Sequence, residues 1–219
     1  MNQGAAFQVR QCTQDTCRFR FPAPAGDEEI GCPHCRAPTR RVAAAVAGPL
    51  TGRHASDEAF PAQPHMAALL DNVRSVFNVG AMLRTADGAG LAHVHLCGIT
   101  ATPRHPKVAK TALGAEQAVP WSYHRNAVDA ARALSTEGWH LWALESVAGA
   151  TPLFAVDPPP AGTPTVLVVG NERAGVDPGL LALCERALTI PMLGVKESLN
   201  VAIAFGIAAY HLRFGHQSK

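Results

Sequence analysis

The chain has 219 residues, of which 47% are hydrophobic and 16% charged, a balance that fits a folded globular protein and excludes a disordered one. No run of 18 uncharged apolar residues occurs, and Met1-Asn2-Gln3-Gly4 offers neither a basic nor an apolar leader segment, so a soluble, cytoplasmic protein with no membrane contact is expected. The net charge of +2 is too small to announce a nucleic-acid binder by itself, although residues 1–53 hold seven arginines against four acids and the remainder twelve bases against thirteen acids.

Four of the six cysteines fall early, as Cys12-x4-Cys17-x14-Cys32-Pro33-His34-Cys35. Without a secretion signal these thiols should stay reduced, which favours a tetrahedral Zn²⁺ site over disulfides. Such a site needs two short-spaced thiolate pairs, each on a tight turn whose amides can point at sulfur. Gly31 and Pro33 are suitable turn residues. His34 is an alternative ligand, but using it would leave one thiol idle. Between the pairs, Arg18 to Pro22 alternates like a strand, with Phe19 and Phe21 able to cover one side of a small core. The segment resembles a zinc ribbon and is read as a domain over residues 1–44. A metal with four protein ligands is structural, so catalysis must lie elsewhere. Cys97 and Cys184 sit in apolar settings and read as small buried hydrophobes.

Residues 45–64 turn rich in Ala, Gly and Pro and read as a linker holding at most one short element. From residue 65 to 219 short apolar runs alternate with segments of helical period, the pattern of an α/β domain with a parallel sheet. A helix is predicted over residues 78–86, a strand over 92–97, a helix over 126–135 and a strand over 140–144. Thr165-Val166-Leu167-Val168-Val169 is the clearest strand, β-branched and bounded by Pro164 and Gly170. One more strand is predicted over 187–191, before a buried helix from Val201 to Tyr210 and beyond. His93 and His95 read as strand residues. No Gly-x-Gly-x-x-Gly follows a strand, so a cofactor must be held by another geometry.

Four runs remain: Asn72 to Ala86, with Asn78 and Arg84; Gly170-Asn171-Glu172-Arg173-Ala174-Gly175; Ile190-Pro191-Met192-Leu193-Gly194; and Ser198-Leu199-Asn200-Val201-Ala202. Gly170 ends a strand, where a missing side chain lets a ligand approach the backbone. Ile190 and Leu199 are apolar contacts suited to adenine, and the turn after Ile190 can bend around a base. Together these runs resemble the three motifs of the SpoU (TrmH) RNA 2′-O-methyltransferases, in order and spacing, over about residues 66–214.

The resemblance implies a SPOUT fold, a parallel sheet closed by a C-terminal trefoil knot. It implies an S-adenosylmethionine pocket formed by Leu144, Gly170, Asn171, Gly175, Ile190, Met192 and Leu199. Catalytic positions are carried over to Arg84, Asn78, Glu172, Ser198 and Asn200; outside the resemblance, the cysteine spacing assigns structural Zn²⁺ to Cys12, Cys17, Cys32 and Cys35. The implied reaction is magnesium-independent methylation of a ribose 2′-hydroxyl in tRNA or rRNA, by a homodimer whose active site is completed at the interface. A guanidinium with a pKa above roughly 12 is a poor base, so Arg84 is expected to act indirectly, through the substrate's own phosphate. Asn78, nearly two turns before Arg84, is expected to face the same cleft, with Glu172 orienting either one. Ser198 and Asn200 are also candidate N-caps of the last helix. Arg74 and Lys196 are candidate phosphate contacts, and the arginines of the ribbon are expected to help grip RNA. The alternatives are a noncatalytic RNA-binding or assembly protein that keeps the knotted fold, a zinc-ribbon adaptor whose second domain only dimerises, and a base methyltransferase.

Overall fold

The computed structural model describes residues 7–44 and 65–215, and the chain divides into two compact units, Met1–Phe60 and Pro61–Lys219. The linker expected at 45–64 lies outside the described residues.

In the first unit β1 (Phe7–Cys12) pairs antiparallel with both β2 (Arg20–Pro24) and β3 (Thr39–Ala44). Gln8, Arg10, Cys12 and Ala23 are buried on one face. Arg10 is tolerated there because its fork is satisfied: it donates to the Asp27 and Glu28 carbonyls and to Thr39 Oγ1 and carbonyl oxygen, at 2.8–3.1 Å. This polar core explains why β1 and β3 escape a hydrophobic-alternation reading. The strand expected at 18–22 begins two residues later, because Arg18 leaves the first cysteine turn in a left-handed conformation (φ 49°). Phe19 is 42% exposed, so it covers the core only in part, stacking on His34 and touching Phe21.

The second unit is a seven-stranded, wholly parallel sheet in the order β6-β5-β4-β9-β7-β10-β8. Its elements are β4 (Met66–Asp71), α1 (Val76–Gly88), β5 (His93–Cys97), α2 (Pro106–Ala112), α3 (Ala115–Ala118), β6 (Trp121–His124), α4 (Ala127–Thr136), β7 (His140–Leu144), β8 (Thr151–Pro152), β9 (Thr165–Val169), α5 (Pro178–Leu181), β10 (Arg186–Thr189) and α6 (Val201–Phe214). The adjacent strands β4 and β9 are buried along their whole length, as expected of parallel strands covered on both faces. Alternation sorts their side chains. Met66, Ala68, Leu70, Leu167 and Val169 pack with α1 and α6 around Phe205, while Ala67, Leu69, Val166 and Val168 pack with α4 and α5 around Ala131, Leu134 and Leu180.

Strands β7 and β9 coincide with the predicted spans, and α1 brackets the predicted helix, capped by Ser75, whose Oγ accepts from the Asn78 amide. α4 starts one residue late because Asn126 is its N-cap. β10 ends at Thr189, so Ile190 and Pro191 lie beyond the strand predicted to contain them. The last helix is buried on one face only: Ile203 is 57% and Tyr210 46% exposed. β10 lies between β7 and β8, beside strands that precede it in the chain. No helix among the described residues is long and apolar enough to cross a membrane.

Candidate functional site

The chain leaves β4, β7, β9 and β10 at the same edge of the sheet, because all four are parallel, and ligands of open parallel sheets bind at that carboxyl edge. The loops following β7, β9 and β10 enclose a cleft of about 320 Å³. All seven residues predicted to hold a cofactor line it: Leu144, Gly170, Asn171, Gly175, Ile190, Met192 and Leu199. Of the predicted catalytic residues, Glu172, Ser198 and Asn200 line it as well, whereas Asn78 and Arg84 do not.

The Gly170–Gly175 turn is built tightly. A Cβ on Gly170 would lie 2.2 Å from the Gly175 carbonyl carbon and the Val176 nitrogen. Asn171 and Gly175 exchange two backbone hydrogen bonds, Asn171 Oδ1 accepts from the Arg173 and Ala174 amides, and its Nδ2 donates to the Asn72 carbonyl at 2.8 Å. The Asn171 side chain therefore shapes the wall of the cleft rather than reaching into it. Glu145, which the motifs did not point to, supports the same turn: its Oε2 accepts from the Val176 amide at 2.8 Å and its Oε1 from the Ser146 amide at 3.0 Å. Its position directly after a predicted strand was the available signal. Ser146 and Thr189, also on the wall, join their hydroxyls at 3.0 Å.

A polar network spans three of the expected residues. The Glu172 carboxylate accepts from the amides of Arg74 and Ser75 at 2.9 and 3.0 Å and from Asn78 Nδ2 at 2.9 Å. Asn78 Oδ1 in turn accepts from Asn200 Nδ2 at 3.2 Å. Partial burial pushes the Glu172 pKa up, but the amides ahead of α1 and the Asn78 donor outweigh it and hold the carboxyl below the usual range. Asn200 is both a link in this network and the N-cap of α6, accepting from the Ala202 and Ile203 amides; Ser198 is not the cap. Arg84 stands apart. Six residues at 3.6 per turn put it about 120° around α1 from Asn78, and neither of the two lines the cofactor cleft. Arg84 is exposed and makes no hydrogen bond or ion pair among the described residues. Arg74 and Lys196 are exposed too, Arg74 engaged through its backbone.

In the first unit the sulfurs of Cys12, Cys17, Cys32 and Cys35 lie within 4.8 Å of one another. Cys12 and Cys35 are 3.5 Å apart and Cys17 and Cys32 3.8 Å, against about 3.8 Å between sulfurs bound at about 2.3 Å to a tetrahedral ion. Burial raises the Cys32 pKa, yet the amides of Cys35 and His34 more than offset it and bring the thiol down to about 7. His34 Nδ1 lies 3.6 Å from Cys17 Sγ, a neighbour of the cluster and not a member. Cys97 is buried as expected and its pKa is pushed up to about 12; Cys184 is only partly buried. His93 and His95 are strand residues, and together with Ser122 and His124 they form a hydrogen-bonded cluster between β5 and β6, which no sequence spacing announced.

Residues 65–210, most of the second unit, match the SpoU rRNA Methylase family. The chain belongs to this family. The chain is 39% identical over 145 residues to the 23S rRNA (guanosine(2553)-2′-O)-methyltransferase RlmP of Bacillus subtilis, covering 66% of this chain and 56% of that protein. To the tRNA (guanosine(18)-2′-O)-methyltransferase of Thermus thermophilus it is 32% identical over 148 residues, covering 68% of this chain and 74% of that one. The solved structure of an AdoMet-bound rRNA methyltransferase from Sinorhizobium meliloti superposes with a TM-score of 0.63 at 31% identity, over 70% of this chain and 57% of that one. The chain thus spans little more than half of two of these SpoU relatives. The mixed α/β architecture with its parallel sheet is that of solved SpoU and TrmH methyltransferases.

Proposed function

We propose that this SpoU-family protein transfers a methyl group from S-adenosylmethionine to a ribose 2′-hydroxyl of tRNA or rRNA. The observation that carries this reading is the convergence of all seven expected cofactor residues on one cleft with the Glu172–Asn78–Asn200 network at its rim. The cleft suits the cofactor: Leu144, Ile190 and Leu199 offer apolar faces to adenine, and Ser146, Thr189 and backbone amides offer hydrogen bonds to its polar edges. When bound, S-adenosylmethionine supplies an electrophilic methyl on a sulfonium.

The chain's own residues position and exclude. Gly170 and the Asn171–Gly175 turn keep one wall rigid. Glu172 fixes the start of α1, and through Asn78 it fixes Asn200 at the mouth of the cleft, where Asn200 and Ser198 present polar groups to an incoming ribose. Arg84 lies outside the cleft of its own chain, which supports a homodimer in which each cleft receives Arg84 of a second copy. α6 also exposes Ile203 and Tyr210, seven residues apart and so on one helix face, as a dimer surface would. The four cysteines are proposed to hold structural Zn²⁺, with no open position for chemistry.

The test is transfer of a labelled methyl from S-adenosylmethionine to total tRNA and to rRNA, with nuclease mapping of the labelled nucleotide. Ribose 2′-O-methylation is expected. Cofactor binding without transfer to any RNA would favour a noncatalytic RNA-binding platform, and label on a base would overturn the ribose assignment.

A further inference from the structure

The three-stranded sheet of the first unit has two unlike faces. Strand register places Gln11 beside Arg20 on β2 and beside Arg40 on β3, a row across the outer face, opposite to that of buried Gln8, Arg10 and Cys12. Both arginines are exposed, and the side chain of neither makes a hydrogen bond or ion pair among the described residues. On the same face Val9 pairs with Pro22 and Phe7 with Pro24, and Phe7 is 51% exposed. One end of this face is therefore cationic and the other apolar and aromatic.

Three of the four acids of residues 1–53 are elsewhere, and the fourth, Asp15, lies in the first cysteine turn. Arg10 and Gln8 bond the carbonyls of Asp27 and Glu28, which draws the acidic run Asp27-Glu28-Glu29 over the inner face. The acidic run Asp27–Glu29 and the Arg20–Arg40 row thus lie on opposite faces. The two cysteine turns carry two more arginines: Arg18 and Arg36 each follow the second cysteine of a pair, both are exposed, and both stand at positive φ (49° and 66°). Glycine would adopt that conformation with less strain, so the arginines are held at a conformational cost that a purely structural turn does not require.

We infer that the outer face of this sheet binds an unpaired RNA strand, its phosphates on Arg20 and Arg40 with Arg18 and Arg36 alongside, and a base stacked on Phe7. A row of cations about two strand spacings wide, next to an exposed ring, is the combination that single-strand binders use: charge tracks the backbone and the ring accepts any base. Base-paired RNA offers no free base to Phe7. The inference rests on the proposed RNA substrate and assigns a place for holding it apart from the cofactor cleft.

The experiment uses the full-length protein with a fluorescein-labelled 12-nucleotide oligouridine and a labelled 12-base-pair RNA duplex, read by anisotropy from 50 to 300 mM KCl. Arg20→Gln/Arg40→Gln should weaken oligouridine binding about tenfold at the lowest salt and lower the slope of log K against log salt by about 1.4, two phosphate contacts at about 0.7 each. Phe7→Ala should weaken it by about tenfold with an unchanged slope. Arg132→Gln, on α4, should change neither, and S-adenosylmethionine affinity should stay constant in all variants. An unchanged slope in the double arginine variant overturns the inference, and so does a duplex preference that Phe7→Ala leaves untouched. If the inference fails while methyl transfer to RNA persists, the proposed activity stands; if the unaltered protein neither binds nor methylates RNA, both fall.

Discussion

Gly170→Ala is the sharpest test of the way this cleft is made. The added methyl would sit 2.2 Å from two backbone atoms of the Gly175–Val176 segment, whereas ordinary contact begins near 3.4 Å, so the turn must retreat by about 1 Å. Overpacking of this kind costs about 1–3 kcal/mol, and the upper end applies because no side-chain rotamer can absorb the clash. At about 2–4 °C per kcal/mol for a chain of this size, the melting temperature should fall by about 6–12 °C. The retreating turn is also a wall of the cleft, and misplacement by about 1 Å can cost about 10²-fold in a positioned interaction. Differential scanning fluorimetry and calorimetric titration with S-adenosylmethionine measure the two effects. Gly194→Ala is the control, since its added Cβ meets nothing within 4 Å, and it should stay within about 0.5 kcal/mol of the parent. A Gly170→Ala protein that melts within 2 °C of the parent, at about the precision of the method, and binds cofactor within about twofold would refute the close-approach argument.

Glu172 carries a depressed pKa, so its bonds to α1 contribute stability that is complete above the carboxyl's ordinary pKa and is lost as pH falls through the folded value; Glu172→Gln should narrow the gap in melting temperature as pH drops from 7 toward 3, and a gap independent of pH would contradict the network. Arg84→Ala should lower turnover by at least about 10²-fold while leaving cofactor affinity within about twofold, measured by methyl transfer and calorimetry. Mixing Arg84→Ala with Gly170→Ala chains should restore part of the activity if each cleft borrows Arg84 from its partner; no recovery in verified mixed dimers speaks against sharing. Chelation, or Cys32→Ser with Cys35→Ser, should release about one zinc per chain by elemental analysis and loosen the first unit, while the second unit keeps its S-adenosylmethionine affinity.

Of the strands of the second unit, β5, β7, β9 and β10 were legible as short apolar runs between helical periods, whereas β4, β6 and β8 were not singled out; the cofactor residues came from the resemblance to the SpoU motifs, Gly170 alone also from its place at the end of a strand. What escaped the sequence has physical reasons. β1 and β3 hide behind a buried Arg10 that makes four hydrogen bonds, which breaks the hydrophobic alternation. Asn171 reads as a ligand contact but spends its amide on the turn. Nearly two helical turns set Asn78 and Arg84 near one line along α1, but the residual step of about 120° gives them different faces of the helix. Glu145 belongs to no motif, and only the fold brings it to Val176.

The placement of β10 between β7 and β8 has a consequence for how the protein is made. The slot that β10 fills must stay open while five parallel strands on the other side of it form, and parallel pairing over such sequence distances is slow. Asn200, which closes the polar network and starts α6, arrives after that strand. A nascent chain on the ribosome can therefore possess a nearly complete hydrophobic sheet with neither a finished cleft nor a link to Asn78. Competence for methyl transfer would then begin only once the final strand and helix have docked, which ties activity to the completion of folding rather than to the presence of the motifs.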